Sequence, residues 1–189
     1  MTKNEIRKER LALRLDLSEK EASVSSRKIC RRLILNSAFI TASVIGLYWP
    51  FRNEVQTQSV FRSALSKGKR VGFPLVRAED RAITYIAVDD LAEMRQGTYG
   101  IMEPRFLEER VIRPEEFDLI VIPGVAFDRR GYRIGYGAGY FDRLLAGGGV
   151  TATRAAPAFD IQIIDRVPRA GHDEKVDVIF TESRVIICS

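Results

Sequence analysis

Between Pro123 and Asp142 the chain reads PGVAFDRRGYRIGYGAGYFD, a dense collection of residues able to handle an anion. Gly135, Gly137 and Gly139 let the backbone approach a ligand closely and turn N–H groups toward it. Arg133 adds a planar cation matched to phosphate oxygens. Asp142 follows where a carboxylate could share Mg²⁺ with phosphates, or simply complement the dipole of a helix opening near Gly139. The spacing is not that of a P-loop, which needs Gly-Lys-Ser/Thr after four spacers, nor that of the dinucleotide fingerprint G-x-G-x-x-G. On the residues alone, a glycine-rich turn with exposed arginines stays open as the alternative.

The elements around this segment say where it sits. Asp118-Leu119-Ile120-Val121-Ile122-Pro123 is the strongest buried-strand signal in the chain and delivers the glycine-rich loop, 128–139, at its carboxyl end. In open α/β sheets ligands bind at that end. Val44–Trp49, Val71–Val76 and Ile83–Val88 predict earlier strands, and Ala155–Phe159, Val176–Phe180 and Val185–Ile187 later ones. Helices are expected over residues 3–14, from Ser18 (a capping box with Glu21) to about Asn36, over 57–66 and over 140–145. In the first helix Ile6, Leu11, Leu13 and Leu15 supply the apolar positions. A short acidic turn is expected around Asp89–Glu93 and a brief helix start at Pro114. Near-continuous apolar strands alternating with helices predict an α/β fold: one domain over residues 1–189, a largely parallel sheet flanked by helices, and an N-terminal helical pair.

Charge narrows the partners. The formal net charge is +5, and residues 1–32 hold all of it, with ten Lys/Arg against five Asp/Glu. Such a basic arm can serve nucleic acid, an acidic membrane surface or a phosphate-rich small molecule, and a solvated helix face is its commonest fate. Cys30 and Cys188 stand apart, without zinc or redox spacing, and are expected to be reduced, inert thiols. His172 is the sole histidine, which excludes sites built on two. No stretch reaches the ~18 apolar residues of a membrane span, and Met1–Glu5 shows no apolar signal region, so a cytoplasmic location is expected.

The run Asp118 to Leu145, DLIVIPGVAFDRRGYRIGYGAGYFDRLL, resembles the signature of the 5-formyltetrahydrofolate cyclo-ligases, and other motifs agree in order. Lys3-Asn4-Glu5-Ile6-Arg7 is similar to the family's K-x-x-x-R, and Tyr48–Thr57 to the segment that carries an acidic residue after the first strand. Gly72-Phe73-Pro74, Gly100–Pro104, Gln162, His172-Asp173 and Val176-Asp177 match in turn, so the likeness spans residues 3–182. The resemblance implies ATP-dependent closure of 5-formyltetrahydrofolate to 5,10-methenyltetrahydrofolate. The formyl oxygen attacks the γ-phosphorus, the folate amine captures the activated carbon, and no protein nucleophile takes part. It implies ATP contacts at Lys3, Arg7 and Arg133, Ile134, Gly135, Tyr136, Gly137, Ala138, Gly139, Tyr140 and Phe141. Folate contacts are implied at Trp49, Glu54, Tyr136, Gly137, Ala138, Gly139 and Tyr140, Mg²⁺ at Asp142 and Asp173, and catalytic roles for Arg133 and Tyr140. The expected partners are ATP and a reduced folate, with no nucleic acid or membrane, for a monomer or weak dimer. Two positions depart from the pattern: Ala138 stands where Gly or Lys is frequent, and Phe141 where Tyr is frequent.

Overall fold

The computed structural model describes all residues except Ala78, Asp80, Arg81, Gly148, Arg169, Ala170 and His172. In chain order the helices and strands are α1 (Lys3–Asp16), α2 (Glu19–Ile34), α3 (Ser37–Thr41), β1 (Val44–Gly46), α4 (Gln58–Leu65), β2 (Arg70–Arg77) and β3 (Ala82–Ala87). Then come β4 (Arg95–Gln96), β5 (Met102–Glu103), β6 (Val111–Ile112), β7 (Leu119–Val121), β8 (Ala126–Asp128), β9 (Arg133–Ile134) and α5 (Tyr140–Ala146). The chain closes with β10 (Thr153–Pro157), β11 (Ile163–Ile164), β12 (Val178–Phe180) and β13 (Val185–Ile187).

Eight strands form the main sheet in the order β13-β12-β10-β7-β1-β2-β3-β6. Its centre, β12 to β2, is parallel. Both flanks turn antiparallel, through β13 on one side and β3 and β6 on the other. The apolar run of β7 is continuous because both faces of the sheet are covered. Leu119 and Val121 pack with Ile29 and Leu33 of α2 and Val60 of α4. Ile120 and Ile122 face the opposite cluster, which includes Leu145 of α5. Pairing between β1 and β2 ends at Gly72, so Pro74 lies where β2 keeps only β3 as a neighbour and its missing N–H is tolerated.

Both N-terminal helices open on reciprocal caps. Thr2 Oγ1 accepts from Glu5 N at 3.3 Å, and Ser18 Oγ from Glu21 N at 3.2 Å, with each glutamate reaching back to its cap's N–H. The inward face of α1 corrects the sequence reading. Ile6 is buried as expected, but Leu13 and Leu15 are exposed and Arg14 is buried in their place.

The segment from 128 to 139 is not wholly a loop. Ala126–Asp128 and Arg133–Ile134 pair antiparallel, and β11 adds to β8 in parallel to make a small second sheet. Strands of two residues are too short to show alternation. The hairpin turns on the buried carboxylate of Asp128. It accepts from Arg130 N (3.0 Å), Arg130 Nη2 (2.6 Å), Tyr132 N (3.2 Å) and Val167 N (2.9 Å). Asp128→Ala strands those donors, and a loss of about 2–4 kcal/mol is expected, measured by urea unfolding. A loss below about 0.5 kcal/mol means that the hairpin holds without the carboxylate.

Candidate functional site

Lys3, Arg7, Arg10 and Arg14 stand at i, i+4, i+7 and i+11 on α1, the spacing of a face normally given to apolar side chains. Each reaches inward. Lys3 Nζ lies 2.7 and 2.5 Å from the two carboxylate oxygens of Asp173. Arg7 Nε donates to Gly135 O at 2.7 Å, and Arg10 Nη1 to Ile161 O at 2.9 Å. Arg14 donates to Arg52 O at 3.1 Å and Gly124 O at 3.0 Å, and to the Tyr136 hydroxyl. The local positive charge of the N-terminal segment is therefore partly an inward-facing stripe that ties α1 to five segments distant in sequence, at Arg52, Gly124, Gly135–Tyr136, Ile161 and Asp173.

The turn after β1 presents Glu54. Arg52 (φ 47°) and Asn53 (φ 59°) are both left-handed. Asn tolerates that region, whereas Arg costs about 1 kcal/mol there. Asn53 Nδ2 fixes the turn by donating to the carbonyls of Arg14 (2.8 Å) and Leu17 (3.0 Å) at the end of α1. The side chain of Glu54 is 5% exposed. Its Oε2 accepts from Phe51 N at 3.0 Å, while Oε1 has no hydrogen-bond partner among the described residues. Arg14 Nη1 stands 3.8 Å from that free oxygen. Burial pushes the Glu54 carboxyl up to about 7, against the opposing pull of Arg14, the Phe51 amide and the Tyr136 hydroxyl. Trp49 is half-buried and divided in role, tilted on Phe73 at 6.1 Å on one side and lining the cavity on the other.

Arg133 anchors the glycine-rich loop. Its side chain is 4% exposed, donating to Glu174 O and to Asp142 Oδ1, each at 2.8 Å. Burial pulls its pKa down, and Asp142 and Asp173 oppose that. Positive φ falls on Gly137 (107°) and Gly139 (72°) and not on Ala138, so alanine at that position requires no strained backbone. Asp142 lies in the first turn of α5, bonded to Arg133 rather than idle at the surface. Arg130 is spent on Asp128, which leaves Arg133 as the loop arginine directed at the cavity between 128 and 139. Tyr140 lies against the Arg143 guanidinium, 5.6 Å from its ring centre.

Lys3, Arg7, Trp49, Glu54 and the glycine-rich segment share one cavity of about 960 Å³, opening past the carboxyl ends of β1 and β7 at Trp49 and at Pro123-Gly124. Every residue assigned to the site from sequence lines it: Lys3, Arg7, Trp49, Glu54, the whole of 133–142, and Asp173. His172 lies outside the described residues. Sequence reasoning gave no role to the wall of Pro74, Val76, Ile83, Tyr99, Ile101 and Glu103. The motifs Gly72-Phe73-Pro74 and Gly100–Pro104 marked its location. Arg14 was also missed, although its cation falls in register with Lys3 and Arg7.

Among the described residues no three or more His, Cys, Asp and Glu side chains cluster as a metal site. Asp142 and Asp173 instead flank Arg133, each in an ion pair. Two carboxylates suit Mg²⁺ that arrives on phosphates and keeps several waters, not a metal caged by protein alone. No helix among the described residues is long and apolar enough to cross a membrane.

The fold and the cavity define the class: an α/β protein with a cavity past the carboxyl ends of its parallel strands, the place where ligands bind in open α/β sheets. A model of the 5-formyltetrahydrofolate cyclo-ligase family matches residues 1–182, and the chain belongs to that family of enzymes. Its fold is similar to that of 5,10-methenyltetrahydrofolate synthetase from Aquifex aeolicus, with a TM-score of 0.86 and 37% identity, covering 99% of this chain and 93% of that one. The synthetase from Mycoplasma pneumoniae gives a TM-score of 0.78 at 27% identity, covering 96% and 99%. A probable 5-formyltetrahydrofolate cyclo-ligase of Caenorhabditis elegans is 27% identical, over 98% of this chain and 95% of its own.

Proposed function

We propose that residues 1–189 act as one catalytic unit that uses ATP to close 5-formyltetrahydrofolate to 5,10-methenyltetrahydrofolate, releasing ADP and phosphate. One observation carries the reading. A buried carboxylate with an unpartnered oxygen, Glu54, and a set of cations, Lys3, Arg7 and Arg133, open on the same cavity. Glu54 offers acceptors suited to the adjacent donors of a pterin edge. Trp49 and the apolar wall at Pro74, Val76 and Ile83 suit the flat rings. The cations and the amides of 135–139 suit a triphosphate.

The chemistry asks little of the protein beyond position and charge. Arg133 is held as a rigid fork by Glu174 O and Asp142, so its charge is already in place when negative charge redistributes on the transferred phosphoryl group. Lys3 and Arg7 hold the outer phosphate oxygens, and Tyr136 and Tyr140 close the loop over the folate. Asp142 and Asp173 would hold Mg²⁺, which neutralises phosphate charge when bound. The reading also accounts for the basic N-terminal segment. Lys3, Arg7, Arg10 and Arg14 direct donors inward, which weakens the case for nucleic acid as the partner.

The test mixes purified protein with 5-formyltetrahydrofolate, ATP and Mg²⁺ and follows the near-ultraviolet absorbance of the methenyl product. Folded protein that yields no signal overturns the proposal. Asp142→Ala is expected to raise the Mg²⁺ needed for half-maximal rate by about tenfold or more. It should also weaken Mg²⁺-dependent nucleotide binding in calorimetry, and unchanged Mg²⁺ dependence in both assays removes Asp142 from the metal's shell.

A further inference from the structure

The Arg14 side chain has no solvent exposure and does not line the cavity. Burying a guanidinium forfeits its hydration, and such a group seldom adds net stability over an apolar side chain of similar volume. Its donors run instead to three separate segments around the site: Arg52 O in the turn after β1, Gly124 O after β7, and the Tyr136 hydroxyl in the glycine-rich loop. Nη1 is also 3.8 Å from Glu54 Oε1, the oxygen with no hydrogen-bond partner among the described residues. The Arg14 carbonyl takes the Asn53 amide, so both ends of the residue grip the Glu54 turn. Tyr136 is braced by Phe51, ring centres 5.8 Å apart and edge-on.

We propose that Arg14 is a positioning residue for the reaction, its guanidinium fixing the Glu54 carboxylate and the Tyr136 side chain relative to each other so that folate and triphosphate meet in register. The inference deepens the proposed function and rests on it. Geometry requires arginine. A planar fork satisfies several acceptors in fixed directions, while a lysine ammonium is a point charge on a flexible stem. Misplacing reacting groups by about 1 Å costs on the order of a hundredfold in rate.

Two variants separate charge from register. Arg14→Lys keeps the cation and loses the fork. It is expected to lower kcat by about tenfold or more and to raise KM for 5-formyltetrahydrofolate severalfold, with KM for ATP changed less than about threefold. Arg14→Met removes the cation as well. The groups facing Glu54 are then Tyr136 from the glycine-rich loop and Tyr48 from the end of β1, both neutral near pH 7. The rise of kcat/KM with pH should therefore move to higher pH in Arg14→Met and return toward the wild-type position in Arg14→Lys. A merely structural defect would lower the rates without moving that rise. Circular dichroism and thermal melting check the fold of each variant.

If neither variant folds, the wild-type chain labelled with ¹⁵N-arginine gives the answer. The slowly exchanging guanidinium signal that Tyr136→Phe perturbs should shift when 5-formyltetrahydrofolate is added without ATP, and its failure to shift overturns the proposal. Wild-type turnover keeps the two readings apart. No methenyl product from the wild type defeats the proposed function. An active wild type matched by Arg14→Lys in kcat, both KM values and pH dependence defeats the positioning role alone.

Discussion

Replacing Arg133 by alanine is expected to lower kcat for methenyl formation by about a thousandfold, with both KM values changed by much less. Arg133 is almost wholly withdrawn from water, so its charge acts in a medium that screens it poorly. Its two bonds, to Glu174 O and Asp142, hold the guanidinium before any substrate arrives, and no reorganisation is needed when charge shifts during transfer. Lysine at 133 should recover only part of the loss, since it cannot keep both bonds while facing the phosphates. The alanine variant also leaves Asp142 and Asp173 without the cation that both face, so repulsion should further weaken the binding of free nucleotide lacking Mg²⁺. Steady-state kinetics with saturating ATP and folate separates the terms. A fall in kcat of less than about tenfold, in a variant with an unchanged melting temperature, places Arg133 outside the transfer step.

The α/β class and the address of the cavity were legible because the signals were long. Leu119–Val121 is apolar on both faces of the sheet, and the loop that follows carries glycines at alternate positions. Ser18 and Glu21 announced the second helix through a cap that depends on two residues only. What stayed hidden was decided by tertiary contact. Leu13 and Leu15 look like core in one dimension, yet α1 rotates them outward because its opposite face carries arginines bonded to loops distant in sequence. The antiparallel flanks of the sheet follow from pairing partners that a strand's own composition does not specify. Glu54 stands in a turn of two left-handed residues, neither of them glycine. Only the contacts of Asn53 with the end of α1 explain why the chain accepts that conformation.

Glu54→Gln carries the second large expectation, a rise in KM for 5-formyltetrahydrofolate of about a hundredfold with KM for ATP within about threefold of wild type. The amide keeps the shape but replaces one acceptor by a donor, which meets the pterin's own donors head-on. Titration supplies an independent check. With the carboxyl pushed up to about 7, the free enzyme holds Glu54 largely protonated below that pH. The wild-type kcat/KM for folate should then climb about tenfold per pH unit up to about 7 and level off above it, while the glutamine variant stays flat. Stability runs the other way. The folded-state pKa lies above the 4.5 of an ordinary glutamate, so the fold binds the proton more tightly than the unfolded chain does. The resulting stabilisation is complete below pH 4.5 and is lost as pH rises through about 7, a change of roughly 3 kcal/mol at most. Glutamine, fixed in the neutral form, escapes that loss. Urea unfolding at pH 5 and pH 8 should therefore show the variant gaining on the wild type at the higher pH, just where the wild type binds folate best. A variant that loses folate affinity without gaining stability at pH 8 would mean that Glu54 is already charged at pH 5, and that Arg14 compensates for its burial more fully than a separation of 3.8 Å suggests.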